Sequence, residues 1–188
     1  MTAVAATKNK TLDMVYIAMF AVLITICAWI SLPATPLTVP VTLQTFGIFV
    51  SVGVLGGRRG SLSVLIYLLL GAVGLPVFAG FTGGLGIILG NTGGYIVGFL
   101  LSALFMWGME KVIGRKTWAL ALSMVLGLLV CYAFGTAWFM IVYAKNVGSI
   151  GLMTALGLCV FPFIIPDMVK IALALLICRR LAKVIKIA

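Results

Sequence analysis

Six stretches of almost unbroken apolar sequence, at 14–32, 39–55, 62–77, 85–109, 118–143 and 152–177, leave this chain little choice of solvent. A helix of about 20 apolar residues crosses the hydrocarbon core of a bilayer, and in lipid each backbone polar group must be satisfied inside its own helix. The hydrophobic fraction is 64%, charged residues are 9%, and mean hydropathy is +1.32. Soluble domains run about half apolar and a quarter charged. The expected fold is an all-α integral membrane protein with six transmembrane helices, forming one transmembrane, substrate-binding domain over 1–188. Residues 1–13 are expected to be a short polar, poorly ordered cytoplasmic segment. Lys8 and Lys10 resemble the basic start of a signal peptide, but the apolar run that follows is too long for one. An uncleaved first span is expected.

The basic residues set the orientation. Lys8 and Lys10 precede span one, Arg58 and Arg59 separate spans two and three, Lys111, Arg115 and Lys116 separate four and five, and Arg179, Arg180, Lys183 and Lys186 follow span six. Eleven of the thirteen basic residues thus share one side, while Lys145 stands alone on the other and Lys170 lies within span six. The positive-inside rule makes both termini cytoplasmic, and six spans satisfy that parity. Span two is short and follows Pro33, Pro36 and Pro40, so it starts below the membrane surface. In the last segment Pro162 and Pro166 either kink a long helix or mark its start, which would make 152–160 a buried loop or re-entrant piece.

Composition also removes functions. Histidine is absent, and the acidic residues number three, so general acid–base catalysis and histidine-based metal sites lack their usual groups. The net charge of +10 forms no contiguous patch, which argues against a nucleic-acid partner. Cys27, Cys131, Cys159 and Cys178 all sit in apolar runs without C-x-x-C spacing and read as reduced packing residues. Two phosphate-loop look-alikes, at 84–90 and 108–117, have the wrong spacing for a nucleotide site.

Small residues recur in two spans. In the fourth, Gly86, Gly90, Gly94, Gly98 and Ser102 follow each other every four residues. From Gly94 to Ser102 this spacing reads as close helix packing. The stretch 83–94 is too glycine-dense for packing alone and predicts irregular backbone that offers amides or carbonyls to a solute. In the first span Ala18, Ala21, Thr25 and Ala28 form a stripe that either packs internally or docks another membrane helix.

Asp167 and Lys170 carry the strongest functional signal. An ionisable side chain at the bilayer centre costs roughly 2.5–3.5 kcal/mol even on the gentler insertion scales. At i and i+3 the two share a helix face and partly neutralise one another. A structural ion pair is one reading. Solute binding is favoured, because Asp167 lies about 18 Å from Arg179 at the rise of about 1.5 Å per residue. That depth lies in the outer half of the membrane, level with Thr42 and Gln44 at the start of span two and Asn91 near the outer end of span four. The outer loops 33–40 and 78–84 carry no charge and suit the lid of a pocket for a partly apolar solute.

The chain resembles the BioY family, the biotin-specific S components of energy-coupling factor transporters, over nearly its whole length. The resemblance is carried by Thr38-Val39-Pro40-Val41-Thr42-Leu43-Gln44-Thr45-Phe46, Leu55-Gly56-Gly57-Arg58-Arg59-Gly60, Gly74-Leu75-Pro76-Val77-Phe78-Ala79-Gly80, Gly90-Asn91-Thr92-Gly93-Gly94-Tyr95, and Pro166-Asp167 with Lys170. It implies a six-helix protein of the prokaryotic cell membrane that binds biotin from outside. It also implies assembly with a transmembrane coupling subunit and two ATPase subunits, which alone use ATP, and no cofactor of its own. Asp167 would then accept from a ureido N–H, Lys170 would neutralise Asp167 or donate to the ureido carbonyl, and Asn91 would add an amide contact. Gln44 and Thr42 would stand near the closing loop, and Tyr95 would pack on the rings. The stripe Ala18, Ala21, Thr25 and Ala28 would dock the coupling subunit. The alternatives are an integral membrane enzyme acting on a lipid or isoprenoid, and a free-standing small-solute facilitator.

Overall fold

The computed structural model describes residues 10–32 and 39–184. Residues 1–9, most of the 33–40 loop and Lys186 therefore lie outside the described residues.

Among the described residues there are eight α-helices: α1 (Lys10–Trp29), α2 (Gln44–Leu55), α3 (Gly57–Ala72), α4 (Leu85–Leu89), α5 (Gly93–Ile113), α6 (Thr117–Asn146), α7 (Leu152–Cys159) and α8 (Phe161–Val184). A two-residue antiparallel pair joins β1 (Ser31–Leu32) to β2 (Val41–Thr42), with Ser31 opposite Thr42. Among the described residues four helices, α1, α5, α6 and α8, contain segments long and apolar enough to cross a membrane. With 12 residues, α2 extends only about 18 Å at about 1.5 Å per residue. Its helical start at Gln44 leaves 39–43 as extended chain, in keeping with the prolines that precede it.

Two expectations change, and one of two open readings is selected. α1 begins at Lys10, so residues 10–13 belong to the first helix, where Asp13 pairs with Arg59 of α3 at 2.8 Å. The fourth apolar segment is two helices, not one. At Gly90 the backbone is extended (φ −80, ψ −172), and its carbonyl accepts both the Gly93 N–H and the Trp138 indole N–H at 3.1 Å. The break also demands glycine at 93, where a Cβ would lie 1.6 Å from the Ile88 oxygen. The last segment divides as well, into α7 and α8. Pro162 is the second residue of α8, a position where its missing N–H costs no helical bond.

The small-residue repeat does pack α5 on α6. A Cβ at Gly94 would lie 2.2 Å from Trp138 Cβ, one at Gly98 3.1 Å from Cys131 Sγ, and Gly127 faces Ser102. The α1 stripe also packs internally. Ala21, Thr25 and Ala28 are buried, Thr25 Oγ1 donates to the Ala21 carbonyl at 3.0 Å, and Gly47 of α2 lies against Ile24 and Cys27. Of the four stripe residues Ala18 alone is exposed, while Ala21, Thr25 and Ala28 turn toward the interior of this chain.

Polar contacts gather the basic segments at one end. Gly56, at φ +86, turns the chain sharply between α2 and α3. Glu110 Oε2 accepts the Gly57 N–H at 2.6 Å, and Arg115 donates to the Gly53 and Val54 carbonyls at 3.0 and 3.3 Å. These bonds cap the end of α2 and the start of α3, whose terminal backbone groups lack helical partners. The outer faces of the long helices remain apolar, with Met14, Leu129, Ile141, Val169 and Leu176 exposed. Such surface is stable only against lipid or another apolar partner. The protein is a multi-pass membrane protein.

Candidate functional site

The cavity lies at the end opposite the Gly56 corner. Its walls come from β2, the start of α2, the segment after α3, and facing parts of α5, α6, α7 and α8. The apolar lining includes Val39, Phe78, Ile87, Ile96, Phe99 and Phe163. Polar groups concentrate in two networks, joined because Gln44 and Thr45 are neighbours at the N-terminus of α2.

The first network centres on Asp167. Oδ1 accepts the Lys170 ammonium at 2.7 Å and the Thr45 hydroxyl at 3.0 Å, while Oδ2 accepts the Tyr132 hydroxyl at 2.5 Å. Residues from α8, α2 and α6 thus converge on one carboxylate. Asp167 and Lys170 are 2% and 5% exposed, so neither charge could persist here without the other. A carboxylate offers about four acceptor sites and an ammonium three donors. Among the described residues, these contacts leave one acceptor site on Oδ2 and two Lys170 N–H groups for whatever fills the cavity.

The second network holds the start of α2. Thr42 Oγ1 donates to Gln44 Oε1 at 2.9 Å and accepts the Gln44 backbone N–H at 3.2 Å. Gln44 Nε2 donates to the Tyr67 hydroxyl at 2.5 Å. Tyr67 of α3 is buried and meets Phe78 edge-on, with ring centroids 5.5 Å apart. Phe78 fits over Gly71, where a Cβ would lie 2.0 Å from its ring. On the outside of this wall Trp29 stacks on Phe81 at 5.0 Å and donates its indole N–H to the Pro76 carbonyl at 2.9 Å.

Five of the six sequence-predicted binding residues, Thr42, Gln44, Tyr95, Asp167 and Lys170, line the cavity. Tyr95 also braces it, its hydroxyl bonded to Thr136 at 2.9 Å and to the Cys159 carbonyl at 3.4 Å. Asn91 is the exception. It sits in the α4–α5 break, its side-chain oxygen is buried without a partner among the described residues, and its neighbour Thr92 takes the place in the lining. The glycine-rich turn sets which residue faces inward, and it favours Thr92. Sequence reasoning missed Thr45 and Tyr132. Thr45 had a signal in its adjacency to Gln44; one tyrosine in an apolar helix gives none.

A small helical membrane protein with a buried, charge-balanced pair on an apolar cavity is a solute-binding protein by its build. The BioY family profile matches residues 2–187, and the chain belongs to the BioY family. It is 42% identical over 164 residues to the biotin transporter BioY of Thermotoga maritima, spanning 87% of this chain and 92% of that one. It is also 42% identical to the probable biotin transporter BioY of Pyrococcus horikoshii, over 92% of this chain and 97% of the relative. Among solved structures it resembles the S-component for biotin from an ECF-type ABC transporter, with a TM-score of 0.82 and 28% identity over 97% of this chain and 95% of that chain.

Proposed function

We propose that this chain is the biotin-binding S component of an ATP-driven ECF-type uptake transporter. The observation that carries the reading is the Asp167–Lys170 pair on the cavity wall, in a chain whose relatives are named biotin transporters. Those names describe transport, so the enzyme alternative is not favoured. Biotin offers a urea with two N–H donors and a carbonyl, an apolar ring system and a carboxylate tail. Asp167 accepts one ureido N–H, and Lys170 donates to the ureido carbonyl. Thr42, Gln44 and Tyr95 surround the rings, and Asn91 supplies a further amide contact from the adjoining turn.

In this reading the whole chain is one substrate-binding membrane domain. Six helices cross, namely α1, α2, α3, α5, α6 and α8, and both termini are cytoplasmic. The basic end faces the cytoplasm by the positive-inside rule, and the cavity faces outward. The membrane is a prokaryotic plasma membrane, in keeping with the sources of the relatives. A transmembrane coupling subunit and two ATPase subunits supply the energy. The coupling subunit docks on the exposed side of α1 around Ala18, beside Met14, Val22 and Ile26.

Equilibrium binding of biotin to the purified protein in detergent tests the central claim. Saturable binding by the native chain is expected, weakened at least about tenfold in Asp167→Asn, because a hydrogen bond to a charged group contributes about 1.5–3 kcal/mol. Absence of saturable binding by the native chain would overturn it.

A further inference from the structure

We infer that Tyr132 and Thr45 are positioning residues that set the ligand selectivity of Asp167 and Lys170. The inference rests on the biotin reading above and extends it to two residues outside the sequence-predicted binding set.

The two hydroxyls and the ammonium divide the Asp167 carboxylate unequally. Among the described residues, Oδ1 receives both Thr45 and Lys170 and has no acceptor site left, whereas Oδ2 receives only Tyr132 and keeps one. Fixed in this way, the pair presents one acceptor beside a cationic donor. A cyclic urea has the matching edge, an N–H donor next to a carbonyl acceptor. A cyclic guanidinium has donors on both positions and a positive charge, so it meets one acceptor and a repelling ammonium.

Tyr132 is what keeps the carboxylate from answering with both oxygens. Its hydroxyl holds Oδ2 from α6, and Thr45 holds Oδ1 from α2, so rotation of the carboxylate would break bonds to two separate helices. With either hydroxyl gone, an acceptor site reopens and the carboxylate can turn toward a ligand that offers two parallel N–H groups, the fork geometry carboxylates prefer with guanidinium.

The test compares biotin with iminobiotin, its cyclic guanidine analogue, on the native protein, Tyr132→Phe and Thr45→Val in detergent. Tyr132→Phe removes one oxygen and leaves the ring that lines the cavity. It is expected to weaken biotin about tenfold while leaving iminobiotin within about twofold of its native affinity, so that selectivity falls. Thr45→Val is expected to shift selectivity in the same direction by a smaller factor. A merely structural role would weaken both ligands by the same factor in both variants, and that result overturns the inference, as does unchanged affinity for both. Failure of the native protein to bind biotin would overturn the underlying reading as well, and is told apart by the native control.

Discussion

At the basic end Asp13 and Arg59 join α1 to α3 with side chains 26% and 17% exposed, whereas at the cavity Asp167 and Lys170 retain only 3% and 6%. Glu110 and Arg115 are more exposed still, at 28% and 46%, and both mainly cap backbone groups at the α2–α3 corner. Pairs of a carboxylate with a basic side chain therefore do two different jobs. Where water reaches them, ion pairs contribute about 0–1 kcal/mol and trim helix ends. Where it does not, the pair is tolerable only because each charge is matched and hydrogen-bonded, and removing one partner strands the other. Burial, not charge, separates a fastening from a binding site.

Breaking the buried side should cost most. Lys170→Met leaves the Asp167 carboxylate with two hydroxyls and no counter-charge, and a loss of about 3–5 kcal/mol is expected from such an orphan. Thermal unfolding in detergent should show a large fall in midpoint, and biotin binding should weaken by more than about a hundredfold. Retention of the native midpoint would show that the site tolerates an unpaired carboxylate.

An intermediate effect is expected from the corner itself. A Cβ at Gly57 would lie 2.5 Å from the Trp107 backbone Cα, so Gly57→Ala must push α3 from α5. Overpacking of this kind costs about 1–3 kcal/mol. The expected result is a lower unfolding midpoint with biotin affinity nearly unchanged, since the clash is at the far end of the helices. A matching loss of affinity would mean the two ends are mechanically coupled.

The smallest effect belongs to Asp13→Asn, which removes a partly exposed pair. Stability should change by less than about 1 kcal/mol, and added salt should shrink the difference between variant and native protein.

The apolar segments were legible because a bilayer punishes every exception along about 20 residues. Their interruptions were only half legible. The glycine density around 83–94 announced irregular backbone, but the break at Gly90 depends on Trp138 reaching its carbonyl from α6. The α1 stripe shows the reverse difficulty: spacing fixes that Ala21, Thr25 and Ala28 share a face, and only tertiary packing decides that the face turns inward. In the site, Asp167 and Lys170 stood out because charge in an apolar run is rare. Tyr132 and Thr45 did not, because a hydroxyl is cheap almost anywhere in a helix and gains meaning only from the carboxylate it meets.

The matching of Asp167 by Lys170 has an electrical consequence. A net charge displaced through the full membrane potential exchanges about 2.3 kcal/mol with each 100 mV. The buried pair sums to zero, so the binding groups carry no net charge through the field and exchange with it only the small energy of a dipole. Any voltage dependence of uptake would then have to come from the charge on the solute's own tail or from the basic residues outside the cavity.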